Sequence, residues 1–598
     1  MSDTICKSFL ETSQRLANHV AIKKKVKRKW RSHTWSDYLS RVESCSSLLQ
    51  NLGLKKGDTM VIISDTRFEW AIADLACMSL GAISVPIYSN SSDEDTKFIL
   101  EDSNAKIAII ESRSNLKKVK ELQVDLKALE SIVVLDDLES DIDNKIYNWD
   151  ESISQLKTKL SLKELLIEQS STDIASIVYT SGTTGTPKGV VLGHDQLFSE
   201  IKDVFSTVDL NEDDTSLSFL PFSHIFGRCE HFGHCYSGFI MAYAESIEAL
   251  RVNLQEIQPT FLVSVPRVFE KVYNSVISAA ESSPIRHKLF LWAVDVGKKV
   301  SWFKQNKKPI PIKLFGQYKI ADKLVFSKLA QRMGGKLRFA VSGGAPLNQE
   351  IAEFFHAAGL LILEGYGLTE TSAAVTLNTP LNYKFGSVGQ PLQDAEIKID
   401  EDGEVLIKST KVMREYYNNP EATKKVTTED GFFRSGDIGK VTQDGFLIIT
   451  DRKKDLIKTA GGKYVAPQKL CNSLILNKYI SNVLIHGDKK KYIVALITLE
   501  EEQILSWAEA KNLQTEDYKK LCDSDEVYQL VREIVAEANA SLASYETIKA
   551  FHVLDHDFTI DGGQLTPSMK VKRKHCDMIY NELIEKLYGP DSSSLFQY

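Results

Sequence analysis

Long apolar runs are missing from this sequence: nothing approaches the roughly 20 uninterrupted residues that a membrane-crossing helix needs. The opening residues, Met1-Ser-Asp-Thr-Ile-Cys-Lys7, hold no apolar stretch of the kind a secretory leader has, so export is not expected. Cysteine is sparse, eight in 598 residues, with no Cys-x-x-Cys pair and no grouping with histidine. That excludes a disulfide framework or a thiolate zinc site and predicts reduced thiols in a cytoplasmic protein. Excess positive charge is also lacking, since 73 basic against 80 acidic residues leave a net charge of −7, which argues against a nucleic-acid partner. Repeats and low-complexity tracts are absent. Two local basic runs, Lys23–Lys29 and Lys570–Lys574, stand out from this background. The first lies between Val20-Ala-Ile22 and Trp30 and reads as the solvated face of a hairpin.

What is present is the composition of a globular enzyme, 43% hydrophobic and 26% charged, in a chain too long for one core. Short apolar strands alternate with helices: strand Thr59–Ser64, helix Phe68–Leu80, strand Ala82–Ile87, helix Asp93–Asp102, strand Lys106–Ile110. The rhythm returns at strand Ile174–Tyr179 and helix His194–Ser206, then at Phe261–Val265 and Leu337–Val341. Such alternation predicts an α/β fold with mostly parallel sheets. After about Gly386 the pattern changes to short strands with glycine turns (Glu396–Ile399, Glu404–Lys408, Gly445–Ile449), which predicts a small antiparallel barrel. The last part mixes hairpin strands (Val483–His486, Tyr492–Thr498) with helices and reads as a smaller α+β unit. The charged segment Asp451-Arg-Lys-Lys454 divides the two, giving a large domain over 1–450, a hinge over 451–454 and a small domain over 455–598.

One segment carries a clear chemical signal. Tyr179-Thr-Ser-Gly-Thr-Thr-Gly-Thr-Pro-Lys-Gly189 follows an apolar strand and precedes another, Val190-Val-Leu192. Its interior glycines permit tight turns with exposed backbone N–H groups, its hydroxyls add donors, and Lys188 adds positive charge. The combination suits a phosphate. It is not a Walker loop, because the GxxxxGK[ST] spacing is absent, and a flexible linker would not sit between two buried strands.

With this loop the chain resembles the adenylate-forming superfamily, which includes acyl-CoA synthetases, peptide-synthetase adenylation domains and luciferases. The resemblance runs from about Trp35 to Lys574, with the motifs in the family's order. It implies that Thr180, Ser181, Gly182, Thr183, Thr184, Gly185 and Lys188 hold the phosphates of ATP. Gly343, Gly344 and Ala345, in Ser342-Gly-Gly-Ala-Pro-Leu347, line the adenine pocket. Glu364-Gly-Tyr-Gly-Leu-Thr-Glu-Thr371 supplies Tyr366 to stack on the purine beside Gly367, Thr369 for the α-phosphate, and Glu370 as a Mg²⁺ ligand. Asp437 accepts from the ribose hydroxyls and Arg452 contacts ribose or phosphate. Lys454 is the pivot of a mobile small domain, and Lys458 reaches the site in the second half-reaction. Lys570, in Ser568-Met-Lys570, is the catalytic cation, together with Glu370, Thr184 and His224; His224 matches the position near the acyl carbonyl. Two departures are visible. Asp451 stands where many relatives have glycine, and Met569 stands where common relatives have glycine, a variant associated with the long-chain branch.

That branch implies a long-chain fatty acid and CoA as substrates, with ATP and Mg²⁺. Val265-Pro-Arg-Val-Phe-Glu270 resembles the segment gating the acyl tunnel, with Phe269 at the gate. Residues 281–335 mix aromatic and basic side chains (Leu289–Val294, Trp302, Phe303, Phe315) and read either as core with a wet face or as a peripheral membrane contact. An acyl-AMP ligase that serves a carrier protein, or a non-catalytic binding protein on the same scaffold, are the alternative readings.

Overall fold

A computed structural model describes residues 3–123, 126–137, 145–180, 186–515, 517–540, 542–560, 562–566 and 569–589. Two large sheets dominate. The first has seven strands in the order Ile146–Asn148, Ser131–Val134, Ile107–Ile110, Thr59–Ile63, Ile83–Ile87, Ile174–Thr180, Lys188–Gly193, all parallel except the last pair. Four of these strands are buried at every position, which is why they read as unbroken Val/Ile runs: helices cover both faces of a parallel sheet. The intervening helix Phe68–Ser79 is apolar almost all round because it is buried all round. Helices Asp93–Asp102 and His194–Ser206 span the residues expected, the first capped by Ser92 Oγ accepting from the Asp95 N–H.

The second sheet has nine strands. Its parallel centre runs Leu361–Leu368, Phe339–Ser342, Phe261–Ser264, Thr215–Ser218, Ile240–Tyr243, Val20–Val26. Antiparallel strands close each side, Lys29–Thr34 at one and Ala373–Leu377 with Gln390–Pro391 at the other. The basic run 23–29 is thus a hairpin, as its flanks predict. Its turn places Lys27 and Arg28 at φ +48° and +64°, where tight hairpins ordinarily use Asn-Gly.

The antiparallel component is an open sheet of four strands, Ala395–Ile399, Glu404–Ser409, Phe433–Val441 and Leu447–Arg452. It is half of the expected barrel. Its last strand continues two residues past the anticipated boundary at 450, so that Arg452 pairs with Asp437 in register. Beyond it lie the two-residue strands Ile457–Lys458 and Tyr464–Val465, then a sheet of Ile480–His486, Ile493–Leu499 and Ile548–Val553 packed with helices. All eight cysteines are buried free thiols. No described helix is long and apolar enough to cross a membrane.

Candidate functional site

The glycine-rich loop is the connection of an antiparallel hairpin, with Thr180 opposite Lys188 and Tyr179 opposite Gly189. Ser181, Gly182, Thr183, Thr184 and Gly185 lie outside the described residues. At the hairpin mouth the Thr180 hydroxyl donates to the Lys188 carbonyl at 3.4 Å. Segment 414–417 runs alongside this hairpin through backbone bonds, including Tyr417 N–H to the Gly189 carbonyl (2.7 Å) and Val191 N–H to the Glu415 carbonyl (3.0 Å). The contact delivers Tyr416. Its ring lies 4.8 Å from the Lys188 ammonium, and its hydroxyl donates to Glu370 Oε1 at 2.7 Å. Burial, followed by the charge of Glu370, raises the Tyr416 pKa, so it remains a donor. Sequence reasoning passed over Tyr416. Its only signal was a tyrosine pair before Asn418-Asn-Pro420, which reads as ordinary packing beside a turn.

Glu370 sits in the short 3-10 turn Thr369–Thr371, at the end of strand Leu361–Leu368. Gly367 is required there, because a Cβ would lie 1.4 Å from the Ala373 carbonyl oxygen. The chain then passes through Ser372 and Ala373 at φ +59° and +124°, positions that strain a side-chain-bearing residue. Buried polar groups hold the turn in place. The Ser372 hydroxyl donates to the Lys411 carbonyl (2.8 Å), the Met413 N–H to the Glu370 carbonyl (2.7 Å), and the Ala374 N–H to Glu200 Oε1 (2.6 Å). The wholly buried Lys411 ammonium completes the support, 3.4 Å from Glu200 and 2.9 Å from Asp203. None of these supporting side chains stood out in the sequence.

Tyr366, Asp437 and Arg452 meet. The Tyr366 hydroxyl donates to Asp437 Oδ2 at 2.7 Å, and Arg452 Nε lies 3.1 Å from Oδ1. Asp437 is nearly inaccessible, 3% exposed, yet each oxygen keeps a second lone-pair direction for a further hydroxyl. Gly343 is buried against Phe226, whose ring atoms would lie 3.0 Å from an added Cβ; Gly344 (φ +79°) and Ala345 are exposed. Glu364 fastens the far end of this turn by accepting the Leu347 N–H at 3.2 Å, and burial pushes its pKa up to about 8.

His224 caps helix Ile225–Ser237, its Nδ1 accepting the Phe226 N–H at 3.2 Å. With Nδ1 an acceptor, the neutral ring carries its proton on Nε2. Burial, and then the charge of Lys570, lowers its pKa to about 4, so it stays neutral through the physiological range. The helix behind it is unusually polar for a buried element. Arg228, Glu230, His231 and His234 are all inaccessible, with Arg228 clamped on Asp74 at 2.5 and 3.0 Å.

Lys570 comes from the C-terminal domain on a tight turn. The Lys570 N–H donates to Thr566 Oγ1 at 3.0 Å, and the Thr566 N–H to the Lys570 carbonyl at 2.8 Å. Met569 adopts φ +62°, the region glycine favours, which accounts physically for the glycine common at this position in relatives. The Lys570 residue is exposed, and desolvation around its ammonium, with the Arg452 charge adding to the effect, moves its pKa down to about 8. The charge of Lys570 is felt at His224, and those of Arg452 and Asp437 at Lys570, so the ammonium is within electrostatic reach of both groups.

Of the other expected residues, Lys458 and Phe269 lie apart from these groups, and Lys454 is within electrostatic reach of Arg452 and Asp437. Lys454 is exposed just past the last strand of the antiparallel sheet, and Lys453 beside it is tied to Asp402 (2.5 Å) and Glu404 (2.9 Å). The Lys458 ammonium stands over Tyr464, and its backbone N–H donates to Asp488; it joins none of the groups above. Phe269 is fully buried on helix Pro266–Glu281, edge-on to Phe355. The same helix touches the C-terminal domain through Arg267 to Glu500 (3.3 Å) and Ser278 to Gln503 (3.2 Å).

Two family models match the chain: AMP-binding enzyme over residues 9–417 and AMP-binding enzyme C-terminal domain over 454–592. The long-chain-fatty-acid–CoA ligase FadD15 of Mycobacterium bovis is 35% identical over 98% of both chains. The long-chain-fatty-acid–CoA ligase ACSBG2 of Xenopus laevis is 29% identical over 98% of this chain and 84% of its own. Among solved structures, the adenylation domain of a carboxylate reductase from Mycobacterium chelonae superposes with TM-score 0.79 at 21% identity. That match covers 98% of this chain and 91% of the other. Full-length matches of this kind leave one conclusion: the chain belongs to the AMP-binding enzyme family.

Proposed function

We propose that the chain is a fatty-acid–CoA ligase that works in two half-reactions at this site. A fatty-acid carboxylate oxygen attacks the α-phosphorus of ATP, the bond to pyrophosphate breaks, and acyl-AMP forms. The CoA sulfur then attacks the acyl carbon and AMP leaves. The observation that carries this reading is the Tyr366–Asp437–Arg452 group, with Lys570 within electrostatic reach of it and of His224. A cation there lies where charge builds up on the α-phosphate and carboxylate. Neutral His224 can donate from Nε2 to a carboxylate oxygen and orient it. Tyr366 and Gly343–Ala345 offer a surface for the adenine, and Asp437 offers acceptors for the ribose. Thr180, Lys188 and the loop between them offer the phosphate cradle.

Glu370 suits a hard cation: its carboxylate is half-buried, with the Tyr416 hydroxyl holding one oxygen. Bound there with substrate phosphates, Mg²⁺ would neutralise charge on the departing pyrophosphate. We assign residues 1–450 to the substrate site and 455–598 to a unit that swings about 451–454. The electrostatic reach of Lys570 to His224, with the Lys458 ammonium over Tyr464, supports assigning this arrangement to the first half-reaction.

The long acyl chain is supported by the named relatives and by magnitude. Each buried methylene contributes about 0.8 kcal/mol, so about ten of them discriminate against acetate without any polar contact. Pyrophosphate release across a panel of acids tests this: activity is expected to fall sharply below about eight carbons, by the same increment. Equal kcat/KM for acetate and palmitate would remove the long-chain assignment. AMP formation that ignores CoA would favour the carrier-protein alternative.

The pH dependence follows from Lys570. In the free enzyme it is protonated below about 8 and neutral above. The kcat/KM for adenylation is therefore expected to fall as pH rises through about 8. A Lys570→Arg enzyme that retains activity should lose this limb, because guanidinium stays charged. His224, neutral well above pH 4, contributes no limb there. An unchanged limb in the arginine variant would assign the titration to another group.

A further inference from the structure

One long helical stretch of this acidic protein is strongly basic. Residues 284–328 contain eleven Lys and Arg against two Asp, a net charge of +9 in a chain whose total is −7. They form helices Pro284–Gln305 and Ile312–Ala321, which lie against each other; the Lys304 ammonium of the first stands 5.5 Å from the Tyr318 ring of the second. Among the described residues, only Lys299 of these cations has a carboxylate within ion-pair distance, Asp295 at 2.6 Å.

Exposed apolar side chains gather on the same stretch. Of the 18 large hydrophobic residues exposed on the described chain, seven fall between Ile285 and Leu324. Ile312 is 92% exposed, Ile285 80%, and Trp302 and Phe315 about half. Lysines flank the rings: Lys308 lies 4.8 Å from Trp302, and Lys319 5.5 Å from Phe315. The inner faces of the two helices do ordinary packing. Phe290, Ala293, Val296 and Ala321 belong to the apolar cluster that also holds Phe269.

We propose that the outer faces of these two helices dock on the surface of an anionic lipid bilayer. Aliphatic and aromatic side chains ringed by flexible cations match the boundary between acyl chains and acidic headgroups. The alternatives fit less well. A second copy would set +9 against +9, and a nucleic acid gains nothing from exposed isoleucine and leucine, which cannot stack on bases. Docking would set the acyl side of the site, behind Phe269, next to the phase where fatty acids reside; this consequence rests on the ligase reading.

Flotation with phosphatidylcholine vesicles, with and without phosphatidylglycerol, tests the surface in the full chain. Binding is expected only with phosphatidylglycerol and should weaken as salt rises. Lys307→Glu/Lys308→Glu/Lys313→Glu should lower the partition coefficient about 100-fold or more, since each cation near such a surface contributes about fivefold. Trp302→Ser/Phe315→Ser should lower it as well, with turnover of soluble decanoate unchanged in both variants. Equal binding to neutral vesicles, equal binding by the variants, or tighter binding to homopolymeric RNA than to vesicles would overturn the proposal. A protein that floats but ligates no acid would remove the ligase reading and leave the docking surface standing.

Discussion

Replacing Lys570 with alanine is expected to slow acyl-adenylate formation about 100- to 1,000-fold, the range for removing one preorganised donor from developing charge. Thioester formation from supplied acyl-AMP and CoA should be largely retained. The asymmetry follows from the proposed two-step chemistry, in which the cation would be needed while pyrophosphate leaves and would be withdrawn before the thiol attacks. Pyrophosphate release measures the first step, and consumption of synthetic acyl-AMP measures the second. Equal loss of both would count against a rotating C-terminal domain. Loss of neither would remove Lys570 from the reaction altogether.

The second large effect is on stability and lies behind the site. Arg228→Met should cost about 3–5 kcal/mol, because it leaves the Asp74 carboxylate buried without its counter-charge. Both side chains are wholly inaccessible. Arg228 also donates to Ser176 at 2.5 Å, and Ser84 donates to Asp74 at 2.6 Å, so the break propagates between strands Ile83–Ile87 and Ile174–Thr180. Removing both charges in Arg228→Met/Asp74→Leu should recover much of the loss, since an apolar pair of similar volume no longer needs desolvated charge to be matched. The denaturant midpoint of the large domain reads this directly. A single variant as stable as the parent, or a double variant no better than the single, would show that the pair is not what holds this layer. The functional link is short: Arg228 is one turn along the helix that His224 caps.

Much of the site was legible because adenylation uses small contiguous motifs. The Tyr366–Glu370 segment, Asp437, Arg452 and Lys570 each announce themselves through glycine-rich or charged neighbours. What escaped was the support. Glu200, Lys411, Asp203 and Tyr416 are ordinary residues in ordinary contexts, drawn together only when helix His194–Ser206 and segment 411–417 pack against the Glu370 turn. Tyr416 and Glu370 are 46 residues apart and Glu200 and Ala374 are 174 apart, and no local pattern encodes such meetings. Glu364 is a related case: it lies inside a recognised motif, yet its tie to the Leu347 N–H exists only because strands Phe339–Ser342 and Leu361–Leu368 are neighbours in register.

By itself the sequence determined the class of fold and the order of the motifs. Hydrophobic period and glycine placement are local properties, and so is a run of like charge such as 284–328. Only the tertiary structure decided which groups face one another. It set Asp437 against both Tyr366 and Arg452, brought Lys570 within electrostatic reach of His224, and held Met569 in a glycine-like conformation. It also turned seven large apolar side chains between Ile285 and Leu324 outward, a choice the helical period allowed but did not compel. Contacts between distant segments depend on the packing of whole sheets and domains, and that is a global minimum no short stretch of chain contains.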